Sequence, residues 1–90
     1  MKLHFTADPG HGWLHVKRAV ALDVMGIDFV RLSPFSYQRG KTLYLEEDCD
    51  ALLFMNCARA RGLEIDVVYK HTNRSAPIRS YESLTHYVCS

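Results

Sequence analysis

Five histidines, three cysteines and ten carboxylates are the chemistry-bearing side chains of this 90-residue chain. His11 and His15 are four apart, but Gly12 and the turn before it disfavour a helix there. On a strand the two would share a face about 13 Å apart, too far for one zinc ion. His86 and Cys89, three apart, supply two ligands where a structural zinc needs four. The spacing therefore predicts no metal and no cofactor. Cys57 lies in an apolar run, where a thiol is usually inert packing. Cys49 falls near a helix start, whose dipole lowers a thiol pKa, while the acids around it push the other way. Asp8 and His11 share a turn and could pair as orienter and base, which keeps a small His/Asp-dependent hydrolase or metal-binding protein as one alternative. Against it, no G-x-S-x-G, P-loop or G-x-G-x-x-G is present. The expectation is a protein that is not an enzyme.

Charge is modestly polarised. Glu46, Glu47, Asp48 and Asp50 form an acidic patch, which reads as helix-start acids favoured by the dipole and as a surface a basic partner could recognise. The tail carries Tyr69, Lys70, His71, Arg74, Arg79 and Tyr81, a basic, tyrosine-rich set. Tyr and Arg are enriched at interface hot spots, so these six are the candidate partner-binding residues. The plainer alternative is an ordered tail whose polar groups satisfy a sheet edge. On the binding reading, Arg74→Glu with Arg79→Glu abolishes binding and leaves the melting temperature nearly unchanged.

The elements that must position these residues follow from patterning. Leu3 and Phe5 alternate with polar neighbours, Asp8-Pro9-Gly10-His11 is a turn in which Gly10 takes a positive φ, and Gly12 keeps the link loose. Trp13–Val16 returns as a second strand. Lys17–Met25 is a short helix stopped by Gly26. Phe29–Tyr37, interrupted by Pro34, and Thr42–Glu46 read as a second hairpin, with Pro34 at an edge or bulge. Asp48 caps the clearest helix, 48–61, which Gly62 ends. Leu63–Lys70 alternates as a strand. An irregular tail follows, ending in a short helix from Tyr81 to Tyr87. The expected fold is a single α+β domain over residues 1–90. It is a two-layer sandwich in the order β-β-α-β-β-α-β, with a mostly antiparallel sheet and an irregular C-terminal tail.

The bulk numbers agree. The chain is 48% apolar and 23% charged, a globular balance. A net charge of +1 gives no support to general nucleic-acid binding. The N-terminus turns polar before a secretory segment could form, no window spans a membrane, and three scattered cysteines suit a reducing cytoplasm. The oligomeric state is left open, a dimer included.

Asp8-Pro-Gly-His-Gly-Trp-Leu14, Phe35-Ser-Tyr-Gln-Arg-Gly40, Tyr44-Leu-Glu-Glu-Asp-Cys-Asp-Ala51, His71-Thr-Asn-Arg74 and Ile78-Arg-Ser-Tyr81 together resemble a family of short uncharacterised proteins carried by phages, prophages and plasmids. The resemblance implies a mobile-element accessory role, in which small proteins often bind a host or defence protein stoichiometrically. Anti-CRISPR-type inhibition is its sharpest form. Residues Trp13 to Glu46, through Leu22-Asp-Val-Met-Gly-Ile27, are also similar to swapped-hairpin DNA-binding antitoxins and transition-state regulators. That similarity implies a dimeric DNA-binding regulator whose Lys17, Arg18, Arg31 and Arg39 meet phosphates. The expectation carried forward is a non-catalytic protein that modulates or inhibits a host or defence protein. The nucleic-acid regulator is the runner-up.

Overall fold

The computed structural model describes residues 1–84. Strands β1 (Lys2–Ala7) and β2 (Gly12–Lys17) form the first hairpin, and helix α1 (Arg18–Met25) follows directly. Strands β3 (Tyr37–Arg39) and β4 (Thr42–Glu46) form the second hairpin, and helix α2 (Asp50–Ala60) follows it. Strand β5 (Asp66–His71) pairs parallel to β1. A two-residue strand β6 (Glu82–Ser83) closes the far side against β3, in the sheet order β5-β1-β2-β4-β3-β6. The architecture is the expected small α+β sandwich.

Strand alternation sorts the side chains into two faces. Leu14 and Val16 of β2 sit beside Leu45 and Leu43 of β4, and all four are buried under the two helices with Ala21, Val24, Phe54 and Ala58. The opposite face carries Trp13, Tyr37 and Tyr44, covered by Ala76, Ile78 and Tyr81. The tail is thus less irregular than its composition suggests. A 3-10 turn at Pro77–Ser80 and the β6 pairing lay it across the sheet. The expected helix from Tyr81 fails over the described part, where Glu82–Ser83 is strand, and its remainder from 85 onward lies outside the described residues.

Four local expectations change. Phe29–Tyr37 is not a strand: Gly26–Arg31 forms a 3-10 helix, which puts Leu32 in the core and leaves Ile27 and Val30 exposed. The chain from Ser33 to Ser36 is then organised by a carboxylate from α2, described below, so strand structure begins only at Tyr37. Asp48 does not cap α2, which starts at Asp50; the Glu46 side chain instead accepts from the Asp48 and Cys49 N–H groups at 2.8 and 3.1 Å. At the other end Gly62 adopts φ 74°, with Leu63 N–H bonded to Ala58 O and Gly62 N–H to Arg59 O, a Schellman closure. Gly10 has no positive φ, and Gly12 is not a loose linker. Gly12 lies buried in β2, and any Cβ there would overlap the Phe5 ring.

Candidate partner-binding site

Asp8 directly follows β1, with its side chain removed from solvent. Its Oδ1 accepts from the Gly10 and His11 N–H groups at 3.0 and 2.9 Å, which closes the turn. Its Oδ2 accepts from Ala76 N–H at 2.9 Å. Both oxygens also take the Arg79 guanidinium, Nε at 2.6 Å and Nη2 at 2.8 Å, a bidentate pair. The Arg79 guanidinium holds the Asp8 carboxyl well below the usual carboxylate range, with the three backbone N–H bonds adding to it against the opposing effect of burial. A Cβ at Gly10 would stand 2.6 Å from Arg79 Nη2, so a larger residue there would have to displace the guanidinium.

This clamp positions the Arg79 guanidinium 5.4 Å from the centre of the Trp13 ring. Trp13 is 1% exposed and meets Tyr37 edge-on at 6.3 Å. Its indole N–H is buried without a partner among the described residues. Trp13, Tyr37 and Arg79 line a cavity of about 350 Å³. Pro34 and Phe35 line it too, Phe35 at 69% exposed, while Glu46, Asp48 and the exposed Cys49 bring carboxylates and a thiol to it. Burial pushes the Glu46 carboxyl above its ordinary value, with the Asp48 and Cys49 N–H bonds pulling against that.

The two residue sets expected from sequence are therefore divided. Arg79, Glu46 and Asp48 meet at this cavity. Asp50 is no surface acid: it is 2% exposed and accepts from Ser33 N–H, Ser33 Oγ and Ser36 Oγ. Glu46 is buried as well, so only Glu47 and Asp48 of the acidic run face solvent. Tyr69, Lys70 and His71 lie on β5 at the outer edge of the sheet, with Tyr69 against Phe5 at 5.4 Å. Tyr81 is half-buried between Tyr44 and Arg39. Arg74 is exposed in the connecting loop. Because Arg79 ties the tail to Asp8, the expectation that charge reversal at Arg74 and Arg79 together spares the fold is corrected: Arg79 is part of the fold.

The chemistry considered for His11 also changes. Asp8 bonds the His11 backbone and not its ring, and its oxygens are already occupied, so Asp8 does not orient that imidazole. Burial raises the Cys57 thiol, with Asp28 Oδ2 3.6 Å away adding to the shift. His86 and Cys89 lie outside the described residues. Among the described residues no group of three or more His, Cys, Asp or Glu side chains is gathered as a metal ion would require. None of the described helices is long and apolar enough to cross a membrane.

Of the cations expected to meet DNA, Arg18 donates to Gln38 Oε1 and Gly40 O, Arg31 pairs with Asp28, and Arg39 stacks over Tyr81. Lys17 is exposed, with Nζ 3.4 Å from Thr42 Oγ1. Sequence reasoning missed Trp13, Tyr37 and Phe35 as site residues. The Phe35 signal was an aromatic beside Pro34, the residue that interrupts what sequence reasoning took for a strand. Nothing local to Trp13 pointed to a cover supplied from residues 76–81. Comparisons with family models, with curated proteins and with solved structures return no match.

Proposed function

We propose that this chain is a non-catalytic accessory protein of a mobile element that binds a host or defence protein and modulates or inhibits it, gripping it at the Trp13 cavity. One observation carries the reading: a concave site of about 350 Å³ with an aromatic floor, an exposed Phe35 and charges of both signs. Buried aromatics with fixed charges around them are the make-up of an interface hot spot. The cavity suits an apolar side chain of a protein partner, with Asp48 placed for a neighbouring basic group and the clamped Arg79 for a carboxylate or carbonyl. Arg79 is held before binding, so little ordering entropy is lost there. Inhibition of the anti-CRISPR type is the sharpest form of this proposal.

The test is tagged capture from host-cell lysate, with and without nuclease, using the wild type beside Phe35→Asp, Asp48→Arg and Arg74→Glu. The expected result is a stoichiometric protein that survives nuclease, is lost in the first two variants and is retained in the third. Capture unchanged by Phe35→Asp and Asp48→Arg removes the cavity from the interface. A second reading, nucleic-acid binding, is favoured by the sheet face away from the helices. Lys2, His4, His15, Lys17 and Tyr44 line a concavity there. Nuclease-sensitive capture, with affinity that falls steeply as salt rises and depends on Lys17, would select it.

A further inference from the structure

Strand β5 is an outer strand of the sheet, and its backbone direction can be read from its ends. Asp66 N–H donates to Met1 O at 2.8 Å, and Thr72 N–H donates to Ala7 O at 2.9 Å. Even-numbered residues therefore turn their backbone groups toward β1. Because a strand alternates, the N–H and C=O groups of Val67, Tyr69 and His71 point out from the edge, where no described strand pairs with them. Side chains alternate too. Val67 and Tyr69 share the helix-side face with Phe5, and Asp66, Val68 and Lys70 share the other.

We propose that a second copy of this chain occupies the edge, β5 pairing antiparallel with β5 about a two-fold axis through Val68. A two-fold axis perpendicular to the sheet keeps each face continuous, so residues of like parity must face each other. With Val68 opposite the partner's Val68, Val67 lies opposite the partner's Tyr69, and these outward-pointing residues exchange N–H···O=C bonds. Asp66 then lies opposite the partner's Lys70, and Lys70 opposite the partner's Asp66. Both ion pairs are cross-strand neighbours on one face. A register centred on Tyr69 sets Val68 against Lys70, and one centred on Val67 sets Asp66 against Val68, so either shift loses both pairs. A lone lysine on an exposed strand normally repels an added strand; here Asp66 stands where it neutralises that charge. On the helix-side face Tyr69, 75% exposed, borders an apolar groove of about 200 Å³ formed with Phe5, Leu52, Met55 and Val67. The partner's Tyr69, set across from Val67, extends that groove over the two-fold.

The mass in solution, measured by sedimentation equilibrium over a concentration series, is expected to be twice the 10.3 kDa of one chain. Asp66→Lys faces like charges across both pairs and is expected to weaken the dimer about tenfold. Lys70→Asp does the same, and the double swap Asp66→Lys with Lys70→Asp restores wild-type association. Val68→Cys tests the axis without relying on charge. A pair that is not hydrogen-bonded has Cα atoms about 4.5 Å apart, within disulfide reach, so this variant is expected to cross-link under mild oxidation. The wild type, with its own cysteines, is expected not to. A monomer at every concentration, a dimer unaffected by either single swap, or a Val68→Cys dimer that does not cross-link overturns the proposal. A strand from another protein at this edge would appear as the first of these. All three leave the Trp13 cavity reading in place.

Discussion

Asp8 ties together three separate parts of this structure. It closes the first turn through two N–H bonds, receives the tail through Ala76, and holds Arg79 against Trp13. A carboxyl whose folded pKa is depressed stabilises the fold in full above its unfolded value, and that contribution is lost as pH falls toward the folded value. For Asp8 the loss begins below 3.8. Melting temperature followed against pH is expected to fall on the acid side of that value for the wild type. Asp8→Asn should start lower at pH 7 and show a shallower acid slope, so that the two curves converge. Parallel curves would mean that the pairing with Arg79 contributes nothing to stability. The Asp8-Pro-Gly-His turn was legible because its residue types match the turn it makes. The clamp was not, because nothing near position 8 names an arginine 71 residues away.

At the scale of elements, the second helix shows how a local signal can be right in kind and displaced in detail. Acids before an apolar run marked the neighbourhood of its start, which is Asp50 and not Asp48, and Gly62 its end. Yet the capping carboxylate is Glu46, still in β4, and Asp50 turns inward. Asp50 is the reason the residues from Ser33 to Ser36 are not strand: it gathers Ser33 N–H and two serine hydroxyls, and Ser36 Oγ in turn accepts from Glu46 N–H at 2.9 Å. Removing it leaves several donors unsatisfied in a buried place. Asp50→Ala is therefore expected to cost on the order of 3 kcal/mol, measured by denaturant unfolding. Because Pro34 and Phe35 line the Trp13 cavity, the same variant should also weaken capture of the protein proposed to bind there. A loss under about 0.5 kcal/mol would show that the serines find other acceptors. Patterning could not reveal this, since an acid in a run of four reads as surface.

For the whole molecule, the sheet separates two apolar clusters of unequal size. The larger, under the helices, was visible in the alternation of Leu14, Val16, Leu43 and Leu45 and in the apolar surface of α2. The smaller one around Trp13 draws on residues 76–81, whose arrival depends on tertiary contacts alone. Because the protein holds one tryptophan, its fluorescence reports on that second cluster. Ile78→Asp places a charge in a buried apolar contact and is expected to red-shift the emission while far-UV circular dichroism keeps its helical signal. Emission unchanged from wild type would mean that the tail does not cover Trp13.

The distance along the chain between Asp8 and Arg79 also sets an order of events on the ribosome. The strand that leads into Asp8 emerges well before Arg79, and the pairing of β1 with β5 must wait for residue 71. By then β1, β2 and β4 can already have paired, and both helices can have packed on them. The arginine that stands beside Trp13 emerges only afterwards, so until residues 76–81 arrive the nascent chain leaves that aromatic face uncovered. Long-range closure of this kind slows folding and lengthens the exposure of sticky surface. A chaperone would therefore meet the Trp13 face first as an open surface and only later as a finished cavity.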